Sequence, residues 1–260
     1  MIEDDFSYVL RKALAGNGMS AGDVAVRAAV AVEEVEGLLG GRFSAALAGK
    51  VGRVLGLGVK ACEGHGDYEP AALELAGVRR VELPFGEDGV NVWLVECGGT
   101  RVMFDAGFEV GDLVDALGKV GMPDRVFVTH GHRDHVAGVE WLLGEGVPVF
   151  GAGLDGVREL AAGDVVECGG LVVRACGLDG HFSPALGFHV DGLERPVLVV
   201  GDALFAGSMG KCAGPAIYQL ALRNLRGVLE GVADETVLLP GHGPGTTVGE
   251  ERAGNPFLAG

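Results

Sequence analysis

The chain has 260 residues, 48% hydrophobic and 22% charged, enough to bury one large core or two modest ones, so disorder is excluded as its main state. Twenty Lys and Arg against 36 Asp and Glu give a formal charge of -16, which repels phosphate backbones and makes nucleic acid an unlikely partner. Mean hydropathy is +0.32, yet no run approaches the roughly 18 to 20 apolar residues of a spanning helix, the start MIEDDF is acidic, and the five Cys lack close pairing, so a soluble cytoplasmic protein with no membrane contact is expected.

Residues 1–66 read as a small all-α domain. Phe6 to Leu14, Ser20 to Ala28, Val32 to Leu39 and Phe43 to Leu57 carry apolar side chains at three- and four-residue spacing, with Ser20 and Ser44 placed to cap free N–H groups. The stretch EGHGDYEP at 63–70 breaks that period with Gly, Pro and acidic residues and predicts a linker, drawn over 67–77. Beyond it the period shortens. β-rich runs at Val81 to Phe85, Val90 to Val95, Arg101 to Phe104, Arg125 to Val128, Leu171 to Ala175, Pro196 to Val200 and Thr236 to Leu239 are split by Gly-rich turns. Helical patterns fall at Val110 to Val120, Val136 to Leu143 and Ala216 to Leu229. Residues 78–260 therefore read as sheets covered by helices, an α/β or α+β domain.

The chemistry concentrates in VFVTHGHRDHVAG, residues 126–138. An apolar strand ends at Thr129, and His130, His132, Asp134 and His135 follow within six residues. At a strand end, side chains i and i+2 project to one side, so His130 and His132 can bind one metal while Asp134 and His135 turn toward a second. Imidazole with carboxylate suits Zn, Fe or Mn. The bland alternative is a solvated polar loop, but the chain has only 7 His, and three in one hexapeptide weigh against it. His181 in LDGHFSPA, Asp202 after PVLVVG and His242 after TVLLPG are each, taken singly, surface or turn-capping residues. Their shared placement at strand ends makes them candidate ligands. Asp105 ends the strand RVMFD, where a carboxylate either fixes the tautomer of a metal-bound His or caps a turn, and Thr129 is placed for similar hydrogen bonding. His65 and His189 match no motif and read as a linker residue and a structural strand residue.

HGHRDH, His181, GDALFAGSMGK around Asp202, LLPGHGPGTT around His242 and the closing GEERAGNPF resemble, in that order, the metallo-β-lactamase superfamily, and within it the glyoxalase II-like hydrolases, over about residues 78 to 257. The resemblance implies an αβ/βα four-layer sandwich, here preceded by the small all-α domain, with the site along one edge of two facing sheets. It implies that His130, His132 and His181 hold one metal, that Asp134, His135 and His242 hold another, and that Asp202 bridges them. Two divalent ions are implied, Zn foremost, with Fe or Mn admissible. The activity implied is hydrolysis of a small acyl ester or thioester by a hydroxide bridging the two ions, with one ion polarising the carbonyl and Asp134 relaying the proton. Lys211 stands where this branch often carries a basic residue near the substrate mouth, although an exposed loop lysine is the plainer reading. The sequence stops at Gly260, where the glutathione-gripping helices of true glyoxalase II would follow, and CAGPAIYQLALRNL departs from that branch, so glutathione specificity is not expected.

Other classes compete. GMSAGDVAVRAAVAVEEVEGLLGGRF resembles a Cro/C1-type helix-turn-helix with Ala25 as the small packing residue. Its candidate reading helix shows Glu33, Glu34 and Glu36 where a DNA reader needs Lys, Arg, Asn or Gln. Homodimer formation or a lid is therefore the expected role of the helices, ahead of a transcriptional regulator with a sensing sandwich. A mononuclear iron persulfide dioxygenase is the nearer alternative, since that branch needs only the first His pair and the later Asp. A nuclease of the superfamily is disfavoured by the acidic charge.

Overall fold

The computed structural model describes residues 2–86 and 88–259. Helix α1 (Phe6–Asn17) starts where the Asp5 carboxylate accepts hydrogen bonds from the Ser7 and Tyr8 N–H groups. Helix α2 (Ala21–Ala28) starts with a capping box between Ser20 and Asp23. Helices α3 (Val32–Leu39), α4 (Ala45–Leu55) and α5 (Val59–Gly64) follow. Ser44 precedes α4 as expected but makes no side-chain cap bond.

The first sheet runs β1 (Val78–Phe85), β2 (Asp88–Cys97), β3 (Thr100–Phe104), β4 (Arg125–Phe127), β5 (Val149–Gly151) and β6 (Arg158–Glu159), in that spatial order. The first three strands are antiparallel and the rest parallel. Parallel neighbours need a crossover. It is supplied by α6 (Val110–Val120) between β3 and β4, and by α7 (Arg133–Val136) with α8 (Val139–Gly144) between β4 and β5. The second sheet holds β7 (Val165–Cys168), β8 (Leu171–Gly177), β9 (Leu186–Asp191), β10 (Val197–Gly201), β11 (Val237–Pro240) and β12 (Thr246–Thr247). Here α9 (Pro215–Leu229) crosses between the parallel pair β10 and β11, and α10 (Val248–Gly254) follows β12.

Strand alternation decides the layers. Val102 and Phe104 point inward with Trp93, Phe127 and Phe150 and meet Val173, Phe188, Val190, Val199 and Leu239 of the facing sheet. Met103 and Val126 point outward onto Leu113, Leu117 and Leu142 of the covering helices. On the far side Leu198, Val200 and Leu238 pack on Leu225 and Leu229 of α9. The result is the αβ/βα four-layer sandwich preceded by helices. Among the described residues no helix is long and apolar enough to cross a membrane.

The N-terminal helices share a core with the sandwich. Leu10, Ala13, Leu14, Leu55 and Cys62 cluster with Met209, Cys212, Tyr218, Leu222 and Phe257. Residues 67–77 run along the sandwich surface, where the Tyr68 hydroxyl donates to Glu251 at 2.5 Å and the Ala71 N–H to Glu250 at 2.8 Å. His189 lies on β9 between Arg174 and Leu198, a strand residue as read. His65 is not a linker residue: it is 2% exposed, and its Nε2–H donates to the Gly207 carbonyl at 3.0 Å.

Burial holds the His65 ring below its ordinary pKa, against the opposing pull of the Gly207 bond and of Asp4 and Asp5. Below a pH of about 6.5 the unfolded chain takes up a proton at this position that the folded chain refuses, so this contribution to stability is present above that pH and is lost as the medium becomes more acid. His65→Gln retains a donor but removes the titration. In thermal melts the advantage of wild type over this variant should shrink from about pH 8 to about pH 5. His65→Ala, which orphans a buried carbonyl, should cost about 1–3 kcal/mol at neutral pH.

Candidate metal centre

Loops leaving one edge of the sandwich carry the polar residues. His130 and His132 follow β4, Asp134 and His135 open α7, His181 lies between β8 and β9, Asp202 follows β10 and His242 follows β11. The fold brings all seven together. Ligand-capable atoms of His130, His132, His181 and Asp202 lie within 4.8 Å of one another, and so do those of Asp134, His135 and His242. Asp202 faces both groups: its Oδ2 is 3.5 Å from His181 Nε2 and 3.6 Å from His242 Nε2, and its Oδ1 is 3.4 Å from His135 Nε2. Two glycines make that approach possible. A Cβ at Gly241 would stand 2.2 Å from Asp202 Oδ1, and one at Gly210 would stand 2.0 Å from the Asp202 carbonyl oxygen.

The ring orientations follow from their outer partners. His135 Nδ1–H donates to Asp105 Oδ2 at 2.9 Å, and Asp105 Oδ1 also accepts the Thr129 N–H at 2.7 Å. The Thr129 hydroxyl lies 3.0 Å from both Asp105 oxygens and 3.0 Å from His130 Nδ1. Because that hydroxyl donates to the carboxylate, its oxygen is left to accept from His130. Asp105 is held at φ 63° although it is not glycine, a strained geometry that its three partners keep in place. His181 Nδ1–H donates to the Lys211 carbonyl at 2.9 Å, so Lys211 takes part through its backbone while its side chain is exposed. His242 Nδ1–H donates to the Gly89 carbonyl at 2.8 Å. Nε2 of His130, His135, His181 and His242 is thereby turned inward, where His132 Nδ1 meets those of His130 and His181.

One residue escaped the sequence reading. Asn91 is fully buried in β2 and grips the turn that carries His242. Its N–H donates to the Gly241 carbonyl at 2.7 Å, and its Nδ2 donates to the Pro240 and Gly243 carbonyls at 2.9 and 2.8 Å. Its Oδ1 accepts from Arg80 Nε at 2.6 Å. The signal was present: an amide inside the apolar run VNVWLV must find partners if it is buried.

The donor set fits a divalent cation. His135 Nε2 and Asp202 Oδ1 are buried without a hydrogen-bond partner, a costly state that a bound cation relieves. His132 Nδ1 lies 3.1 Å from His130 Nε2 and 3.0 Å from His181 Nε2, and one ring nitrogen cannot donate well to both. Imidazoles and carboxylates without thiolate match Zn, Fe or Mn better than Ca or Mg.

The charges agree with this. Despite burial, His135 and His242 hold Asp202 far below the carboxylate range. Despite burial, the bond from His242 and the charge of His135 keep Asp134 low as well. Burial and the neighbouring His135 push His130 to about 2, and burial lowers His181. Against burial, Asp202 and Asp105 hold His135 well above its ordinary value, and the Asp134 bond and Asp202 lift His242 to about 9. Two ionised carboxylates thus sit beside two rings whose hold on a proton they strengthen, while burial keeps His130 and His181 toward the neutral form that a metal ligand needs.

Asn91→Ala orphans the Gly243 carbonyl, while the Pro240 carbonyl keeps the Trp93 Nε1–H and Arg80 keeps its pair with Glu82. Thermal or denaturant unfolding should show a loss of about 1–3 kcal/mol for that one buried carbonyl left unpaired, and elemental analysis should show weaker retention of divalent metal.

A family model described as the metallo-beta-lactamase superfamily matches residues 85–161. An uncharacterized protein of Mycobacterium tuberculosis is 30% identical over 176 residues, covering 53% of this chain and 77% of the relative. The hydroxyacylglutathione hydrolase GloC of Haemophilus influenzae is 28% identical over 184 residues, covering 60% of this chain and 86% of that protein. Among solved structures, TTHA1623 in a di-iron-bound form superposes with a TM-score of 0.55 at 29% identity, over 68% of this chain and 100% of its own. With the sandwich and its edge cluster of His and Asp, these likenesses make the chain a member of the metallo-β-lactamase superfamily.

Proposed function

We propose that the chain is a dinuclear metal hydrolase that cleaves a small acyl ester or thioester. The observation that carries this reading is the second donor group. Asp134, His135 and His242 stand within 4.8 Å of one another and reach Asp202 through His135 and His242, whereas a mononuclear centre needs only His130, His132, His181 and Asp202. A relative called a hydroxyacylglutathione hydrolase adds support. Two divalent ions held by these groups, Zn foremost and Fe or Mn admissible, would bring a shared water toward a neutral pKa and polarise the acyl carbonyl.

The protein's own groups prepare that chemistry. Asp202 spans the two halves, its Oδ2 facing His181 and His242 and its Oδ1 facing His135. Asp134, ionised and hydrogen-bonded through Oδ2 to His242 Nε2 at 3.2 Å, is the acceptor for the proton of the attacking water. Asp105 and Thr129 fix the rings of His135 and His130. A thiolate route is unfavourable, because burial pushes the Cys62 thiol to about 12 and those of Cys176 and Cys212 to about 11. DNA reading is unfavourable too: Glu33, Glu34 and Glu36 are all exposed on α3 and would repel a phosphate backbone.

Elemental analysis of the purified protein, coupled to a panel of thioesters, lactones and persulfides, tests the proposal. About two divalent metals per chain with ester or thioester turnover is the expected result. Asp202→Ala should lose metal and activity together. One iron per chain with oxygen consumed on a persulfide would overturn the reading.

A further inference from the structure

We infer that the acyl group this centre accepts is apolar, an aryl or medium-chain aliphatic group, an inference about substrate class that rests on the hydrolase reading. Three phenylalanines, Phe85 at the end of β1 and Phe182 and Phe205 in loops, stand beside the candidate ligands, and a fourth, Phe108, backs one of them. The Phe182 ring centroid lies 4.7 Å from that of His132 and 5.6 Å from that of His130. On the other half, Phe85 lies 5.6 Å from His242 and Phe205 lies 5.9 Å from it, edge-on. Phe108 packs against Phe85 at 5.1 Å. Both halves of the centre are thus flanked by aromatic carbon.

Exposure sorts these rings into support and contact. Phe205 is 5% exposed and fixed beneath the Lys12 ammonium, 4.9 Å from its centroid. Phe85, Phe108 and Phe182 are only half-buried, so apolar surface beside the polar centre stays in water until something covers it. Covering it is favourable in proportion to the area removed from water, about fourfold in affinity for each buried methylene. The cations over these rings each have a carboxylate partner. Arg133, 4.7 Å above Phe108, pairs with Glu109 at 3.0 Å, and Lys12 pairs with Asp4. Lys12 is buried in its pair, and Arg133 reaches out into solvent beside Glu109, so the surface that lies directly against the candidate ligands is aromatic carbon.

The test uses the metal-loaded full chain and the carboxylates that acyl hydrolysis would release. Binding of acetate, octanoate and phenylacetate is measured by calorimetry, with metal content measured on every sample. Octanoate and phenylacetate should bind at least about tenfold more tightly than acetate. Phe85→Ala and Phe182→Ala, with metal retained, should bring that ratio to within about threefold. Phe108→Ala, whose ring touches no ligand, provides a third variant and should narrow the ratio in the same sense. Equal binding of the three acids, or a ratio unmoved in all three variants, overturns the inference. Matched acetyl, octanoyl and phenylacetyl thioesters separate the two proposals. The expected acid ranking without any thioester turnover overturns the hydrolase reading alone, and turnover that favours the acetyl thioester overturns the apolar preference alone.

Discussion

The buried Asp202 carboxylate, set between two groups of imidazoles, is the constraint on which the rest of this structure depends. An ion in that position is tolerable only if opposite charge or strong donors surround it. The surroundings are built to that end. Three strands of the two sheets, β4, β10 and β11, release their chains at one edge, and Gly210 and Gly241 let backbone come closer than any side chain would allow. An outer ring of acceptors, Asp105, Thr129 and the carbonyls of Gly89 and Lys211, takes the outward N–H groups of His135, His130, His242 and His181. Each element serves the aim of a ring nitrogen within a few tenths of an ångström, the tolerance that a metal ligand requires.

Much of this was legible in the sequence because its signals are local. The hexapeptide HGHRDH sits on one strand end, so its density of His is visible without knowing the fold. Helices with a strong apolar period were equally clear: Val32 to Leu39 and Val110 to Val120 form with the expected bounds, and the pattern at Ala216 to Leu229 becomes α9. The convergence of His181, Asp202 and His242 on the hexapeptide is long-range, and only the family wording and their common place at strand ends pointed to it.

What went unread depends on distant partners. Strands β5, β6 and β12 have two or three residues, too few to show alternation, and β9 includes Gly187 and His189 within LGFHVD, which weakens its pattern. Asn91 looks like a blemish in an apolar strand until the turn around His242 is placed against it. His65 lies in a segment of Gly and acidic residues that has every mark of a linker, and its partner Gly207 is 142 positions away. Ser44 has the right residue type for a cap but makes no such bond.

The loop between Asp202 and α9 belongs to two neighbours at once. On one side Lys211 offers the carbonyl that aims His181, while on the other Met209 and Cys212 are buried among the N-terminal helices and the Gly207 carbonyl is tied to His65. A helical unit attached in this way is not a bead on a string that recombination can swap for another. Its packing residues and those flanking Lys211 have to drift in concert through evolution, because a substitution that shifts one partner moves a carbonyl whose position the other end of the loop has already fixed.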